Sequence, residues 1–212
     1  MTAYGGKDFI LKMGNGVSGA VTFQDSGDTV TKNGHGLLNG DVVQFSAITS
    51  TTGISINTDY FVVGSTTNTF QVALTEGGAA IALSTDGSGT LVEGFRMLGG
   101  LRAASLSLNA EAIDVTHQGS SQWKTLLDGA GIKSVSISGS GVFEQDASLT
   151  RIRTDILAQT LRNFRIIEHS SGDYFAGSFK MTSLERAGDY NNEQSWSLSL
   201  ESSGEISYTS VA

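Results

Sequence analysis

The chain has 212 residues, no cysteine, no proline, 27 glycines and a formal net charge of −8. That length allows one large domain or two small ones with a real core, and the lack of cysteine excludes a disulfide framework and thiolate chemistry. The acidic balance argues against a surface that grips nucleic acid, which needs clustered Lys and Arg.

No apolar run approaches membrane-spanning length, and the start, MTAYGGKDF, has no basic-then-apolar character. A protein made in the cytoplasm without membrane insertion is therefore expected. Glycine-rich turns between short alternating runs predict a mainly β fold.

Residues 7–13 read as a strand with Phe9, Leu11 and Met13 on one face. Gly14-Asn15-Gly16 breaks it. From residue 17 to 92 the composition turns to Thr, Ser, Gly and Val, and one base, Lys32, stands against Asp25, Asp28, Asp41, Asp59, Glu76 and Asp86. Short strands are expected at 21–23, 41–45, 60–63, 70–74 and 80–83, with Asn39-Gly40 and Glu76-Gly77-Gly78 as turns. The segment ends near Gly87-Ser88-Gly89, a second flexible junction. This divides the chain into a discontinuous main domain, residues 1–16 and 93–212, and an inserted all-β domain, residues 17–92, shaped as a small barrel or sandwich.

In the main domain, Ala104, Leu106 and Leu108 alternate with Ser105, Ser107 and Asn109. The pattern returns at Val135 and Ile137 between Ser134, Ser136 and Ser138, and again at Trp196, Leu198 and Leu200 among serines. One sheet face is thus apolar and the other polar but nearly uncharged. Between the first two strands, Trp123, Leu126 and Leu127 fall on one face of an expected helical turn, with Gly129 and Gly131 as its stop. Residues 147–160 predict the one helix. Leu149, Ile152, Ile156 and Leu157 form its stripe, Asp146 or Ser148 its cap, and Arg151, Thr154 and Asp155 its solvent side. Strands at 164–169, 174–185 and 194–201 and a polar tail from 204 complete the chain.

Several patterns suggest chemistry and each has a plainer explanation. Gly14-Asn15-Gly16-Val17-Ser18-Gly19 fits GxGxxG, but a strand and not a helix follows, so it reads as a domain junction. Ser84–Leu91 resembles part of a calcium loop, but Ser84 and Phe95 stand where an EF-hand needs carboxylates, so a tight turn is expected. His35, His117 and His169 have no partner at metal spacing. Asp114 and His117 could orient one another, yet no GxSxG serine completes a triad. Arg151, Arg153, Arg162 and Arg165 read as a solvated face before an intersubunit or DNA contact. No enzyme activity, metal or cofactor is expected.

Gly100-Leu101-Arg102, Asn109-Ala110-Glu111 running into Asp114-Val115-Thr116, Trp123 before Leu126-Leu127, and Ser138-Gly139-Ser140-Gly141 carry a family likeness. Together with Gly6-Lys7-Asp8, and as far as about Tyr208, this part of the chain resembles the major tail (tail tube) proteins of long-tailed phages and gene-transfer particles. Residues 17–92 lie outside that resemblance. Within them, His35-Gly36-Leu37, the run Gly40–Phe45 and Asn68-Thr69-Phe70 resemble small β modules of phage virion proteins and a β-barrel subdomain of ubiquitin-activating enzymes, from which only the barrel shape is carried over.

The resemblance implies β-sandwich subunits with a flanking helix, hexameric rings stacked into a hollow virion tail, and inner sheets joined into one barrel. Its implied partners are other copies of the chain, tape-measure, terminator and distal tail proteins, and DNA in transit without specific binding. Expected intersubunit contacts are Asp114, His117, Trp123, Leu126 and Leu127, in a long polar loop whose apolar residues need burial. Expected lumen-lining residues are Ser105, Ser107, Ser134, Ser136 and Ser138. The insert would decorate the exterior, with host-surface glycans as a candidate ligand. A chain joined from Gly16 to Glu93 would still fold and form thinner tubes. The alternatives are a carbohydrate- or receptor-binding β module and a tube-like protein of a secretion system. The residues favour a tube on their own terms, because long, proline-free, weakly charged strand edges suit pairing between subunits.

Overall fold

The computed structural model describes residues 9–142, 147–168, 172–188 and 193–211. Lys7, Asp8, the expected cap Asp146 and His169 lie outside the described residues. The fold is mainly β, a closed six-stranded barrel beside an eight-stranded curled sheet with one helix.

Strand β1 (Ile10–Gly14) buries Leu11 and Met13 and turns Lys12 outward, as its alternation requires. The barrel follows, from β2 (Gly19–Gln24), β3 (Thr29–Thr31), β4 (Val42–Thr49), β5 (Tyr60–Val63), β6 (Thr69–Ala73) and β7 (Gly87–Glu93) in the order β2-β3-β6-β5-β4-β7. Its centre is aromatic: Phe23 and Phe45 meet edge-to-face with centroids 5.3 Å apart, and Phe70 and Tyr60 fill the rest.

The expected strand at 80–83 and the expected junction at Gly87-Ser88-Gly89 are corrected. Residues 80–83 form no strand: Ile81 N–H donates to the Val72 carbonyl at 2.8 Å, and Leu83 is buried with its N–H donated to Asp28 Oδ1 at 2.8 Å. Strand β7 instead closes the barrel by pairing with both β2 and β4. A Cβ at Gly87 would strike the Thr49 carbonyl, and one at Gly89 the Ala47 carbonyl and the Phe23 ring. These glycines allow close packing, not flexibility.

The sheet adds β8 (Phe95–Met97), β9 (Leu101–Ala110), β10 (Lys133–Val142), β11 (Leu161–Ile167), β12 (Tyr174–Ala187), β13 (Ser195–Ser202) and β14 (Ser207–Thr209). Its order is β8-β1-β11-β12-β13-β10-β9, with β14 paired to β12. The 14 residues of β12 turn the sheet, because the first half pairs with β11 and the second with β13. Strand β14 corrects the expected polar tail. Asp173 fixes it by accepting from Tyr208 Oη at 3.1 Å and from Val211 N at 2.7 Å.

Helix α1 (Ala147–Ala158) lays Leu149 and Ile152 on the core of Phe164, Phe179, Trp196 and Leu198. Trp196 is buried and donates Nε1–H to the Val142 carbonyl at 2.9 Å. Two expectations for the helix fail. Leu157 is 80% exposed, while Arg151 and Asp155, placed on the solvent side, are buried. Ser148 sits buried within the first turn, its hydroxyl 3.5 Å from the Met97 carbonyl.

Candidate assembly surface

The apolar halves of β9, β10 and β13 turn toward the helix and core, so their serines turn away together. Antiparallel register sets Ser107 beside Ser136 and Ser105 beside Ser138, with Ser199 and Glu201 next in line on β13. Ser105 and Ser138 are exposed and share a hydrogen bond of 2.7 Å. Ser134 pairs with Asn109 on the same face. On β12 the face continues with Lys180 opposite Glu201 and with Glu185 opposite Ser197. The five serines singled out from the sequence thus lie on one hydroxyl-rich, weakly charged surface.

Two long strand edges are open among the described residues. The ten residues of β9 pair only with β10 and end the sheet. Beyond Lys180, β12 pairs only with β13, because β11 has ended at its partner Leu161. Neither edge contains proline, and Arg102 is the one charge on β9. Such edges are open to main-chain pairing with another chain.

Residues 111–132 leave the β9–β10 hairpin as an arm. Glu111 N–H donates to the Ile132 carbonyl at 2.9 Å at its root, and Asp114 bridges Leu126 further out. Val115 N donates to Thr125 O, and Leu127 N to Ile113 O, each at 2.9 Å. The expected helical turn is corrected here. Ser121 and Gln122 take positive φ of 50° and 68°, which reverses the chain into an extended ladder, so Leu126 and Leu127 point to opposite sides. Ile113, Val115 and Leu127 share one side, and sequence reasoning missed the first two. Nothing among the described residues covers the arm. Trp123 is 80% exposed, Ile132 75%, and Leu126 and Leu127 about half.

The arm's polar residues have local work. Hydrogen bonds from Thr116 hold the Asp114 carboxyl below its ordinary range, and Thr116 N lies 2.8 Å away. His117 Nδ1 accepts from Gly119 N at 3.0 Å, so His117 shapes the turn and is not oriented by Asp114.

The barrel is joined to the sheet by a buried polar network, which the sequence reading took for loose junctions and a solvated helix face. Arg151 reaches Asp41 Oδ2 at 2.5 Å and the Gly36 carbonyl at 3.1 Å. Burial pushes the Asp41 carboxyl above its ordinary range, against the pull of Arg151. Asp155 holds Arg162 through two bonds of 2.6 and 2.8 Å, and Arg162 donates to the Asn15 carbonyl at 2.7 Å. Asn15 is itself buried and donates to the Val42 carbonyl at 2.6 Å. Gly16 N–H donates to Glu93 Oε1 at 2.8 Å, so the two crossings into the barrel lie side by side.

Arg165 stacks on Phe95, 3.8 Å from its centroid, and only Arg153 of the four arginines is exposed. No group of metal-ligating side chains occurs among the described residues. Gly14-Asn15-Gly16 leads into β2, without the helix that a pyrophosphate site needs.

The sequence model of the family described as phage tail tube protein matches residues 76–208. This chain belongs to the phage tail tube protein family. Two solved structures share 39% identity with it at a TM-score of 0.52, each over 55% of this chain. One is a chain in the tail of an empty gene transfer agent (GTA) particle, refined helically with C6 symmetry and matched over 87% of its length. The other is a chain in the virion of a native GTA particle, matched over 89%. No curated protein matches. The tail tube protein described here is thus a structural virion protein of the tail and not an enzyme.

Proposed function

We propose that this protein forms hexameric rings that stack into the hollow tail tube through which DNA is delivered. The observation that carries the proposal is the pair of open edges on one four-stranded wall. Strand β9 ends the wall on one side and the far half of β12 on the other, so copies set side by side can pair edge to edge and close a barrel. The C6 symmetry of the similar GTA tail supports six copies per ring. Because helix and core cover most of the apolar face, Leu108 near the arm excepted, the serine face is the one free to line the bore. Ser105, Ser107, Ser134, Ser136 and Ser138 then offer the DNA hydroxyls and little charge to hold its phosphates.

Asp114, His117, Trp123, Leu126 and Leu127 belong in this reading to intersubunit contacts made by the arm, with Trp123 as anchor. The barrel, residues 17–92, is an inserted unit on the outside of the tube, since an open bore has no room for it. The adjacency of Gly16 and Glu93 supports an insertion. Rings assemble in the host cytoplasm and end on tape-measure, terminator and distal tail proteins.

Electron microscopy of the concentrated purified protein tests the reading. Rings and tubes with sixfold end views are expected, and a protein that stays monomeric at every salt and concentration overturns it. A chain joined from Gly16 to Glu93 should still fold and close narrower rings. Insoluble product would make the barrel integral to the fold.

A further inference from the structure

We infer that the arm of one copy seats in the crevice between barrel and sheet of the copy stacked on it, which makes the barrel wall half of the ring-to-ring joint. This rests on the tube reading above and adds to it a socket and a role for the inserted unit.

The crevice has a volume of about 980 Å³ and is walled by Phe61 and Leu74 of the barrel and by Phe95 and Met97 of β8. Leu74 is 67% exposed and Met97 53%, apolar surface that the chain itself leaves uncovered. Residues 99–101 run along the crevice and lead directly into β9. Over its ten residues β9 then travels about 30 Å to the root of the arm. Socket and arm are therefore at opposite ends of one strand, on the same wall. The exposure of Trp123, Leu126, Leu127 and Ile132 shows that the arm is not folded back over its own subunit.

Two uncovered apolar surfaces at opposite ends can meet only between copies. Such a contact joins unlike surfaces, so it closes a ring or propagates along an axis and does not close a pair. A stack of rings needs a joint of that kind.

The competing hollows fit less well. One, at the crevice end, is lined by Arg102, Glu185, Arg186 and Glu193, a poor seat for an indole. The other is apolar, between Leu108, Val135, Phe175 and Ile206, but lies at the root of the arm itself. An arm in that groove would join neighbours within one ring.

Thiol cross-linking distinguishes these arrangements cleanly, because the chain has no cysteine of its own. Lys124→Cys marks the arm beside an intact Trp123, Asp59→Cys marks the crevice rim, and Ile206→Cys marks the groove at the root. Assembled tubes are treated with a short bismaleimide. Mixed single variants should link Lys124→Cys to Asp59→Cys, and the double variant should give a ladder that continues past one ring. A ladder that stops at ring size, or a link from Lys124→Cys to Ile206→Cys in place of Asp59→Cys, overturns the inference and seats the arm within the ring. Intact tubes with no link to Asp59→Cys also overturn it. Leu74→Asp provides a second reading without thiols: separate rings are expected, and long tubes count against the socket. If the unaltered chain forms no rings or tubes at all, the tube reading itself falls.

Discussion

The junction between barrel and sheet and the arm at residues 111–132 are both irregular segments, and they are finished in opposite ways. At the junction each charge finds its partner inside the chain: Arg151 meets Asp41 and Arg162 meets Asp155, with carbonyls of Gly36 and Asn15 taking further donors. In the arm the backbone pairs across a short ladder but the apolar side chains are uncovered, and Trp123 stands 80% exposed. Most polar groups that would be costly to leave unpaired were settled by folding, the Arg151 Nε excepted. Apolar groups that would be costly to leave wet stay uncovered in the arm, and the proposed tube is what would bury them. The contrast separates a part of the molecule that one chain completes from a part that, on the proposed reading, copies complete.

The largest effect should come from breaking the junction. Asp41→Ala leaves the Arg151 guanidinium buried without its counter-charge, and removing one partner of such a pair costs about 3–5 kcal/mol. Urea unfolding of the monomer should show that loss. Replacing Asp41 and Arg151 together by apolar residues of similar size should cost far less, since the pair's own desolvation disappears with it. Equal losses in the single and double variants would mean that the pair is not what holds the barrel in place.

Trp123→Ala probes the other side of the comparison and should divide stability from assembly. An indole already exposed loses little when truncated, so the monomer's unfolding should shift by less than about 0.5 kcal/mol. Tube length in micrographs and sedimentation should nevertheless fall sharply, because aromatic anchors carry a large share of an interface's energy. Tubes of normal length would remove Trp123 from the contact.

How far the sequence could be read follows the same division. Period-2 alternation announced the strands and the serine face, and β5 matches its expected span. The arm's apolar residues were recognisable as needing burial, but not its shape, because two left-handed residues, Ser121 and Gln122, undo the helical spacing of Trp123, Leu126 and Leu127. Two other features were illegible for physical reasons. A strand made of Gly87-Ser88-Gly89 has the composition of a linker, and only the approach of Ala47 and Phe23 shows why glycine is needed. Arg151 and Asp155, four residues apart on α1, look like a solvated stripe until Asp41, 110 residues before Arg151 in the chain, is placed against Arg151 and Arg162 against Asp155.

The serine face should respond to charge in function more than in fold. Ser107 and Ser136 lie side by side and point away from the core, so replacing both with Arg leaves the packed face untouched. Tubes should still form, while DNA passage slows through added phosphate contacts, measured as ejection from particles shown to carry the change. Unchanged delivery would move the bore to another surface.

The smallest effect is a pH dependence of the barrel. His35 is buried against Phe70 with centroids 5.1 Å apart, its Nδ1 accepting from Leu37 N at 2.9 Å. Burial first, with Lys32 adding to it, holds its pKa below the ordinary 6.5, against the Thr69 carbonyl and Asp41. A proton on Nδ1 would also cost the bond from Leu37. A depressed pKa makes the unfolded chain the better proton binder, so the full stability is present above pH 6.5 and drains as pH falls toward the folded value. One proton sets the limit at about 1.4 kcal/mol per pH unit. Thermal unfolding from about pH 7 to about pH 5 should fall more steeply for the wild type than for His35→Gln, which keeps a polar side chain and loses the titration. Parallel curves would show that His35 changes its protonation without cost to the barrel, and that the acid sensitivity of this protein lies elsewhere.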